Sequence, residues 1–507
     1  MLSQIRCGTI RGLTATMVTA EADVSDGLPV FDMVGSLSGE VKECRERVRT
    51  VLKAAGFPLP ARHITVNLSP ADIRKSGNGF DLPVALSVLA ALGRMDPDRL
   101  SDVFVCGELR LSGEVLPVKG MLPMLLAARE NGIKKCIIPV DNLQEARLVP
   151  DMEPIGVGSF AELLEYIDTG RVREYCPDKD SEAIVDDQAD FGELHGQAIP
   201  RRACEIAAAG MHNLLMYGPP GAGKSMIARC LPSIMPPLSD DEKLELMKIY
   251  SICGKFRISY ENIRRPFRSP HHTTTAVAMS GGGNSLNPGE ITMAHNGVLF
   301  LDELPEFKRE ALEALRQPLE EGKINIVRNR YQEEYPADFL FVAAMNPCRC
   351  GYYPSERCTC STPSIRHYLS KISEPLLDRF DLCVQTRRVE YGELMDKSNN
   401  ESSERIRERV LRAHDIQRER YRDKPYTFNS QASSKMIEEY CRLTKATREC
   451  IGELFASEEL TARGYYRILK VSRTIADLAG KKDVGQEHIA EAGFFRSLDR
   501  RFWEVVR

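Results

Sequence analysis

Long hydrophobic runs are missing from this sequence. No stretch reaches the ~18 consecutive apolar residues of a membrane span, and the N-terminal MLSQIRCGTIRGLTATMV has no continuous apolar segment behind a basic start. These absences exclude a spanning helix and a secretory leader, so the chain reads as cytoplasmic with no membrane partner. Positive charge is not in excess: 68 Lys and Arg against 72 Asp and Glu leave a net charge of −4. That excludes a protein that coats polyanions indiscriminately and confines any nucleic-acid contact to a local basic surface. Neither an internal repeat nor a low-complexity tract is present, which excludes a repeat array. Nor is there a disulfide framework, although cysteine numbers 15: the count is odd, all but four stand singly, and a chain of this length needs no staples.

The composition that remains is that of a soluble globular protein, 43% hydrophobic and 28% charged. The chain is too long for one core, and about 100 to 200 residues per domain predicts three or so domains. DKDSEAIVDDQADFGE (178–193) is acidic and poor in large apolar residues, as a linker is. DKSNNESSERIRE (396–408) marks a second boundary. The expected divisions are 1–172, a linker at 173–195, 196–395 and 396–507. In the first, KGMLPMLLAARENG (119–132) predicts a helix closed by a Gly C-cap, and IKKCIIP predicts the next strand. The middle segment alternates apolar strands with helices, the pattern of a parallel α/β sheet. The last is rich in helix formers.

HNLLMYGPPGAGKSMIARCL (212–231) sets an apolar strand, a Gly-rich turn and a helix in the order a phosphate-binding loop requires. Gly218, Pro219, Pro220, Gly221, Ala222 and Gly223 form the turn, whose glycines let backbone N–H groups surround phosphate oxygens at a helix N-terminus. Lys224 is placed to reach the β and γ phosphates of ATP, and Ser225 to ligate Mg²⁺. The alternative, an ordinary turn, does not account for the flanking strand and helix. In NGVLFLDELPEF a wholly apolar strand ends in two carboxylates: Asp302 can hold Mg²⁺ and Glu303 can polarise the attacking water. An isolated Asp-Glu after a strand is usually only a solvated loop start, so the preceding phosphate loop carries this assignment. DFLFVAAMN ends at Asn346, placed to orient that water. Arg379 in EPLLDRFD and Arg463 in LTARGYYRILKVSRTIADLA follow; a lone arginine is normally a surface charge, and only the order of the motifs singles these out.

The arrangement resembles an AAA+ ATPase of the magnesium-chelatase class. Over nearly its whole length the chain resembles the YifB/ComM family of Mg chelatase-like proteins, on RSPHHTTTAVAMSGGG, NPGEITMAHNGVLFLDELPEF and NPCRCGYY. The resemblance implies a P-loop AAA+ domain of the helix-2-insert group, an N-terminal α+β domain like the Lon protease (S5-like) domain, and a C-terminal helical lid. It implies a homo-oligomeric ring of six. Lys224, Asp302, Glu303 and Asn346 would serve one protomer's ATP, Arg379 would reach the neighbour's γ-phosphate, and Arg463 would be a second sensor on the lid. In the Lon-like segment the family's nucleophilic Ser falls at Gly79 and its catalytic Lys at Leu122. A Ser–Lys mechanism needs a hydroxyl and a neutral amine within reach, so no protease activity is expected; a displaced Ser76/Lys119 pair stays open.

Cys348, Cys350, Cys358 and Cys360 form a C-x-C, C-x-C array just after Asn346. Four thiolates match tetrahedral Zn²⁺, the favoured reading; an iron–sulfur cluster, a redox switch or free thiols are the alternatives. Magnesium-chelatase ATPase subunits have the Asn-Pro but not this array in the family pattern, which argues against tetrapyrrole chemistry. The segments 270–290 and 322–339 read from their residues as solvated loops or a hairpin; the resemblance places both as pore insertions, with His271, His272, Lys323, Arg328 and Arg330 as DNA-contact candidates. The favoured expectation is an ATP-driven DNA helicase that promotes branch migration in recombination or natural transformation. The alternative is a protein-remodelling or regulatory ATPase, for which the Lon-like domain is the pointer, and a magnesium-chelatase subunit comes last.

Overall fold

The computed structural model describes residues 3–171, 173–175, 189–256, 260–283, 287–328, 331–395, 400–424, 427–457 and 460–503. It divides into two compact units. One comprises Met1–Ile184 with Lys243–Ile263 and Val327–Tyr335, the other Val185–Glu242, Arg264–Ile326 and Pro336–Arg507. Among the described residues no helix is long and apolar enough to cross a membrane.

The first unit is built on a seven-stranded mixed sheet in the order Phe31–Val34, His63–Ser69, Thr14–Ser25, Ser3–Arg11, Val103–Val105, Lys135–Pro139, Glu153–Val157. Ser3–Arg11 and Thr14–Ser25 make an antiparallel hairpin with Arg11 opposite Thr14. Burial alternates along Thr14–Ser25 and His63–Ser69, so Val18, Ala20, Ala22, Ile64, Val66 and Leu68 face the core. Against them lies Asp81–Ala91, a helix buried nearly all round. Its Asp81 is fully buried and takes both prongs of Arg47, at 2.6 and 2.8 Å, plus the Leu109 N–H at 2.9 Å, so the buried charge is paired. The helix expected after Lys119 runs Met121–Glu130 and is closed by Gly132 at φ 80°, and the strand expected after it is Lys135–Pro139.

The second unit holds a five-stranded sheet in the order Phe267–Arg268, Val298–Leu301, Leu340–Met345, Leu214–Tyr217, Leu382–Gln385, parallel throughout. VLFL, LFVAAM and LLMY are buried at every position, as central strands covered on both faces must be. The helices Ser403–Arg420, Ser434–Tyr440, Ala462–Leu478 and Gln486–Trp503 contribute to the same core as this sheet. Asp477 is buried among them and is neutralised by Arg420 and Arg473, with Asn429 donating to it at 2.9 Å. Residues 270–290, read from sequence as a polar loop, contain a short helix, Ala276–Ser280, and a two-stranded sheet of Gly281–Gly282 with Asn287–Pro288. Glycine permits this compactness: a Cβ on Gly289 would lie 2.3 Å from both the Gly281 nitrogen and the Met279 oxygen. Lys323–Arg328 and Tyr331–Pro336 pair as the expected two-stranded hairpin.

His414 gives the second unit an acid-sensitive point. Its Nε2 faces the Ala208 carbonyl at 3.0 Å, and burial above all, then Arg265 and Arg418, push its pKa down to about 4, against the pull of that carbonyl and of Asp415. The folded state therefore binds fewer protons than the unfolded one between this value and about 6.5. Stability from this group is intact above pH 6.5 and falls by up to ~1.4 kcal/mol per pH unit below it. His414→Gln should lose less melting temperature than the parent between pH 7 and pH 5; an equal loss in both would remove His414 as the cause.

Candidate functional site

The strands ending at Tyr217, Leu301 and Met345 are neighbours in the parallel sheet, with Leu340–Met345 in the middle. Their carboxyl ends therefore open onto one edge, where ligands of such sheets bind. From Tyr217 the chain turns through the Gly-rich loop into the helix Lys224–Ile234. Gly221 and Gly223 adopt φ 76° and 79°, the left-handed region that glycine enters without strain. Gly218 is needed for a different reason, since a Cβ there would lie 2.3 Å from the Thr386 carbonyl oxygen.

Lys224 is buried and donates to the Gly218 and Pro219 carbonyls at 2.8 and 3.0 Å and to Asn346 Oδ1 at 3.1 Å. Burial lowers its pKa to about 8, against the pull of Asp302 and Glu303. The Ser225 hydroxyl donates to Asp302 Oδ2 at 2.6 Å. A hydroxyl and a carboxylate side by side at a helix N-terminus are the hard oxygen donors that suit Mg²⁺. Glu303 stands in the left-handed region at φ 53°, strain of the kind that clusters at functional positions, and its N–H donates to Asp302 Oδ1 at 2.9 Å. Two hydrogen-bonded pairs, Lys224–Asn346 and Ser225–Asp302, thus start from adjacent residues, with Glu303 next to Asp302.

His271 and His272, singled out as DNA contacts, lie with their rings tilted by 36° and ring centres 4.0 Å apart, and His272 Nδ1 lies 3.5 Å from Glu303 Oε2. The structure therefore puts His272 beside the ATP-site carboxylate. Lys323 is half-buried at the start of its strand, Arg328 ends that strand, and Arg330 lies outside the described residues.

Arg379 and Arg463 make no hydrogen bond or ion pair to the Lys224 group among the described residues. They belong to a second cationic cluster: burial, then Arg463, Arg467 and Arg316, lower the pKa of Arg379. Arg379 pairs with Glu320, but its Nε is buried without a hydrogen-bond partner. Sequence reading missed Gln197, whose buried Nε2 donates to the Ala222 carbonyl at 3.1 Å and the Arg387 carbonyl at 2.7 Å, bracing the phosphate loop. A single Gln far from the motif carried no local signal.

The cysteine array closes on itself. Cys348 Sγ lies 3.4 Å from Cys350 Sγ and 3.7 Å from Cys358 Sγ, Cys350 and Cys358 are 3.6 Å apart, and all four sulfurs fall within 4.8 Å of one another. Zn–S bonds of 2.3 Å in a tetrahedron require sulfurs about 3.8 Å apart, so the set fits that ion. Burial raises the Cys350 thiol, but N–H groups of Tyr352 and Thr359 and the neighbouring thiols outweigh it and hold its pKa at about 6. No disulfide joins the described cysteines.

In the first unit, the space over Gly79 is filled. A Cβ on Gly79 would lie 2.5 Å from Cys106 Sγ and 3.2 Å from Val118 Cγ1. Leu122 is buried, and its N–H donates to Glu145 at 2.9 Å and Ser251 Oγ at 3.3 Å. Burial raises the Glu145 pKa against the hydrogen bonds it accepts from the Ser251 hydroxyl, the Asn142 amide and the Leu122 N–H. Ser76 exchanges hydrogen bonds with Thr9, while Lys119 packs at Gly254; no contact between the two is found among the described residues.

A phosphate loop, a Mg²⁺-type hydroxyl–carboxylate pair and a strained glutamate on a parallel sheet define a nucleotide-hydrolysing P-loop ATPase. Family profiles agree: residues 190–394 match "Magnesium chelatase, subunit ChlI", residues 20–142 "Subunit ChlI of Mg-chelatase", and residues 400–496 "Magnesium chelatase, subunit ChlI C-terminal". The chain is 40% identical to competence protein ComM of Haemophilus influenzae over 96% of each chain, and 38% identical to the uncharacterized protein YifB of Salmonella typhimurium over 96% of each. It belongs to this ComM/YifB family of Mg chelatase-like AAA+ proteins. Its N-terminal part is also similar to Lon protease 2 of Bacillus subtilis, 30% identical over 148 residues, 28% of this chain and 26% of that protein.

Lys224→Ala should lose ATP binding, because the only side-chain cation in the loop is removed, whereas Glu303→Gln should bind ATP and fail to hydrolyse it. Nucleotide titration with single-turnover hydrolysis checks both, and parental ATP affinity in Lys224→Ala would sink the assignment.

Proposed function

We propose that this chain is the protomer of a cytoplasmic, six-membered ATP-driven ring of the helix-2-insert group, a DNA helicase that promotes branch migration in recombination or natural transformation. The motor reading is carried by the separation of two half-sites within one chain: Lys224, Ser225, Asp302, Glu303 and Asn346 in one, Arg379 and Arg463 in the other. A neighbouring copy would bring its arginines to the γ-phosphate, where an arginine in trans stabilises the charge of the transition state. Glu303 takes the proton of the water that attacks the γ-phosphorus while the bond to the bridging oxygen breaks, and Asn346 orients that water. Ser225 and Asp302 would hold Mg²⁺, which neutralises phosphate charge. Cys348, Cys350, Cys358 and Cys360 would hold Zn²⁺ as a structural cross-link.

DNA as the substrate is supported by the relative named a competence protein and by the basic residues of the hairpin. The segment 1–172 we take as a non-proteolytic module joined by the linker 173–195 to the ATPase segment 196–395 and the helical lid 396–507. The packed Gly79 and buried Leu122 support the loss of proteolysis. The Lon similarity favours a second reading, a protein-remodelling ATPase.

Replacing Lys323, Arg328 and Arg330 together with alanine should weaken DNA binding alike across sequences, and each charge removed should lower the salt slope by about one counterion. DNA-stimulated ATPase and branched-DNA unwinding, with assembly verified, measure this; unchanged stimulation refutes the hairpin assignment, and a parent indifferent to DNA favours protein remodelling. For the arginine, mixing Arg379→Ala with Lys224→Ala protomers should restore part of the activity, since each leaves intact the half-site that the other lacks. No recovery in mixed rings shown to form counts against action in trans.

A further inference from the structure

The cysteine loop touches the phosphate loop directly. Gly351, adjacent to Cys350, turns at φ 81° with its N–H on the Cys348 carbonyl at 3.0 Å, and a Cβ there would lie 2.5 Å from Cδ and 3.1 Å from Cγ of Pro220. The bare backbone of one loop is thus seated on the proline ring of the other. Next to it, Tyr352 is covered by the guanidinium of Arg388, 5.3 Å from the ring centre, which also donates to its hydroxyl at 3.1 Å. The preceding residue, Arg387, offers its carbonyl to Gln197, and Gln197 holds the Ala222 carbonyl of the phosphate loop. Contacts and chain neighbours therefore run in a closed circuit: Pro220, Gly351, Tyr352, Arg388, Arg387, Gln197, Ala222. On the other side the loop begins at Asn346, whose side chain accepts from Lys224.

We propose that the cysteine loop, ordered by a metal ion on its four sulfurs, is the seat of the phosphate loop, with Gly351 the positioning residue, so that metal occupancy and nucleotide affinity are linked. This rests on the zinc reading given under the proposed function. Ordering a loop costs backbone entropy at every residue, and Gly351, Tyr352, Ser355, Glu356 and Thr359 add little apolar burial against it. Four thiolate–metal bonds supply that order before nucleotide arrives. Without the ion, nucleotide binding itself must order the loop, and affinity falls. Linkage makes the effect reciprocal: bound nucleotide retains the metal by the same factor.

The substitution Gly351→Ala adds a methyl group against Pro220 while leaving all four cysteines. It should keep about one zinc per chain and bind ADP on the order of tenfold more weakly, within the range of such couplings. Adding Pro220→Ala to Gly351→Ala should recover most of that loss, because the clash goes while the backbone strain at residue 351 stays. Full zinc with parental ADP affinity in Gly351→Ala overturns the proposal, as does a double variant no better than the single one. If Gly351→Ala sheds its zinc, the unaltered protein decides: zinc release to a chelator should be at least ~5-fold slower with saturating ADP, and equal rates overturn the link. A parent that is metal-free with four alkylatable thiols overturns the zinc reading instead, while Gly351→Ala and its rescue still test the seating of one loop on the other.

Discussion

The chemistry of the second unit depends on one constraint: three apolar strands, Leu214–Tyr217, Leu340–Met345 and Val298–Leu301, are parallel neighbours. Parallel pairing brings the phosphate loop, Asn346 and the Asp302–Glu303 pair to the same edge although crossover connections separate them in the chain. The strands are buried on both faces, so a slip in register would cost core packing as well as the site. The Lys224–Asn346 and Ser225–Asp302 bonds are consequences of that pairing.

Charge is distributed with the same economy. In the phosphate site the buried Lys224 is satisfied by the Gly218 and Pro219 carbonyls and by Asn346, and Asp302 by Ser225, whereas at Arg379 burial, then Arg463, Arg467 and Arg316, lower the pKa. Glu320, Asp378 and Asp381 offset part of this repulsion. Buried N–H donors at Arg379 Nε and Arg467 Nη1 still lack a hydrogen-bond partner, and leaving such groups unmade is costly in a protein interior.

In the first unit, the two positions singled out by the Lon-like resemblance are closely packed. Cys106 and Val118 fill the space over Gly79. At Leu122, Glu145, Asn142 and Ser251 form a buried hydrogen-bonded group instead of leaving a cleft. Its polar atoms are satisfied locally, the condition under which such a group can be buried at all.

From sequence alone the phosphate loop, the Mg²⁺-type ligands, the Asn346 strand and the cysteine array were legible, because each depends on residues a few positions apart and on the strand or helix that carries them. The hairpin 322–339 and the helix after Lys119 were legible for the same reason, through alternation and capping. Folding was needed to bring Gln197 to Ala222, His272 to Glu303, Arg463 to Arg379, and Gly351 onto Pro220. Those pairings are set by strand order, crossover paths and the absence of a Cβ at one close approach, none of which leaves a periodic or compositional trace in the chain. Local spacing encodes which chemistry a segment can do, and the packing of distant segments decides which groups share that chemistry.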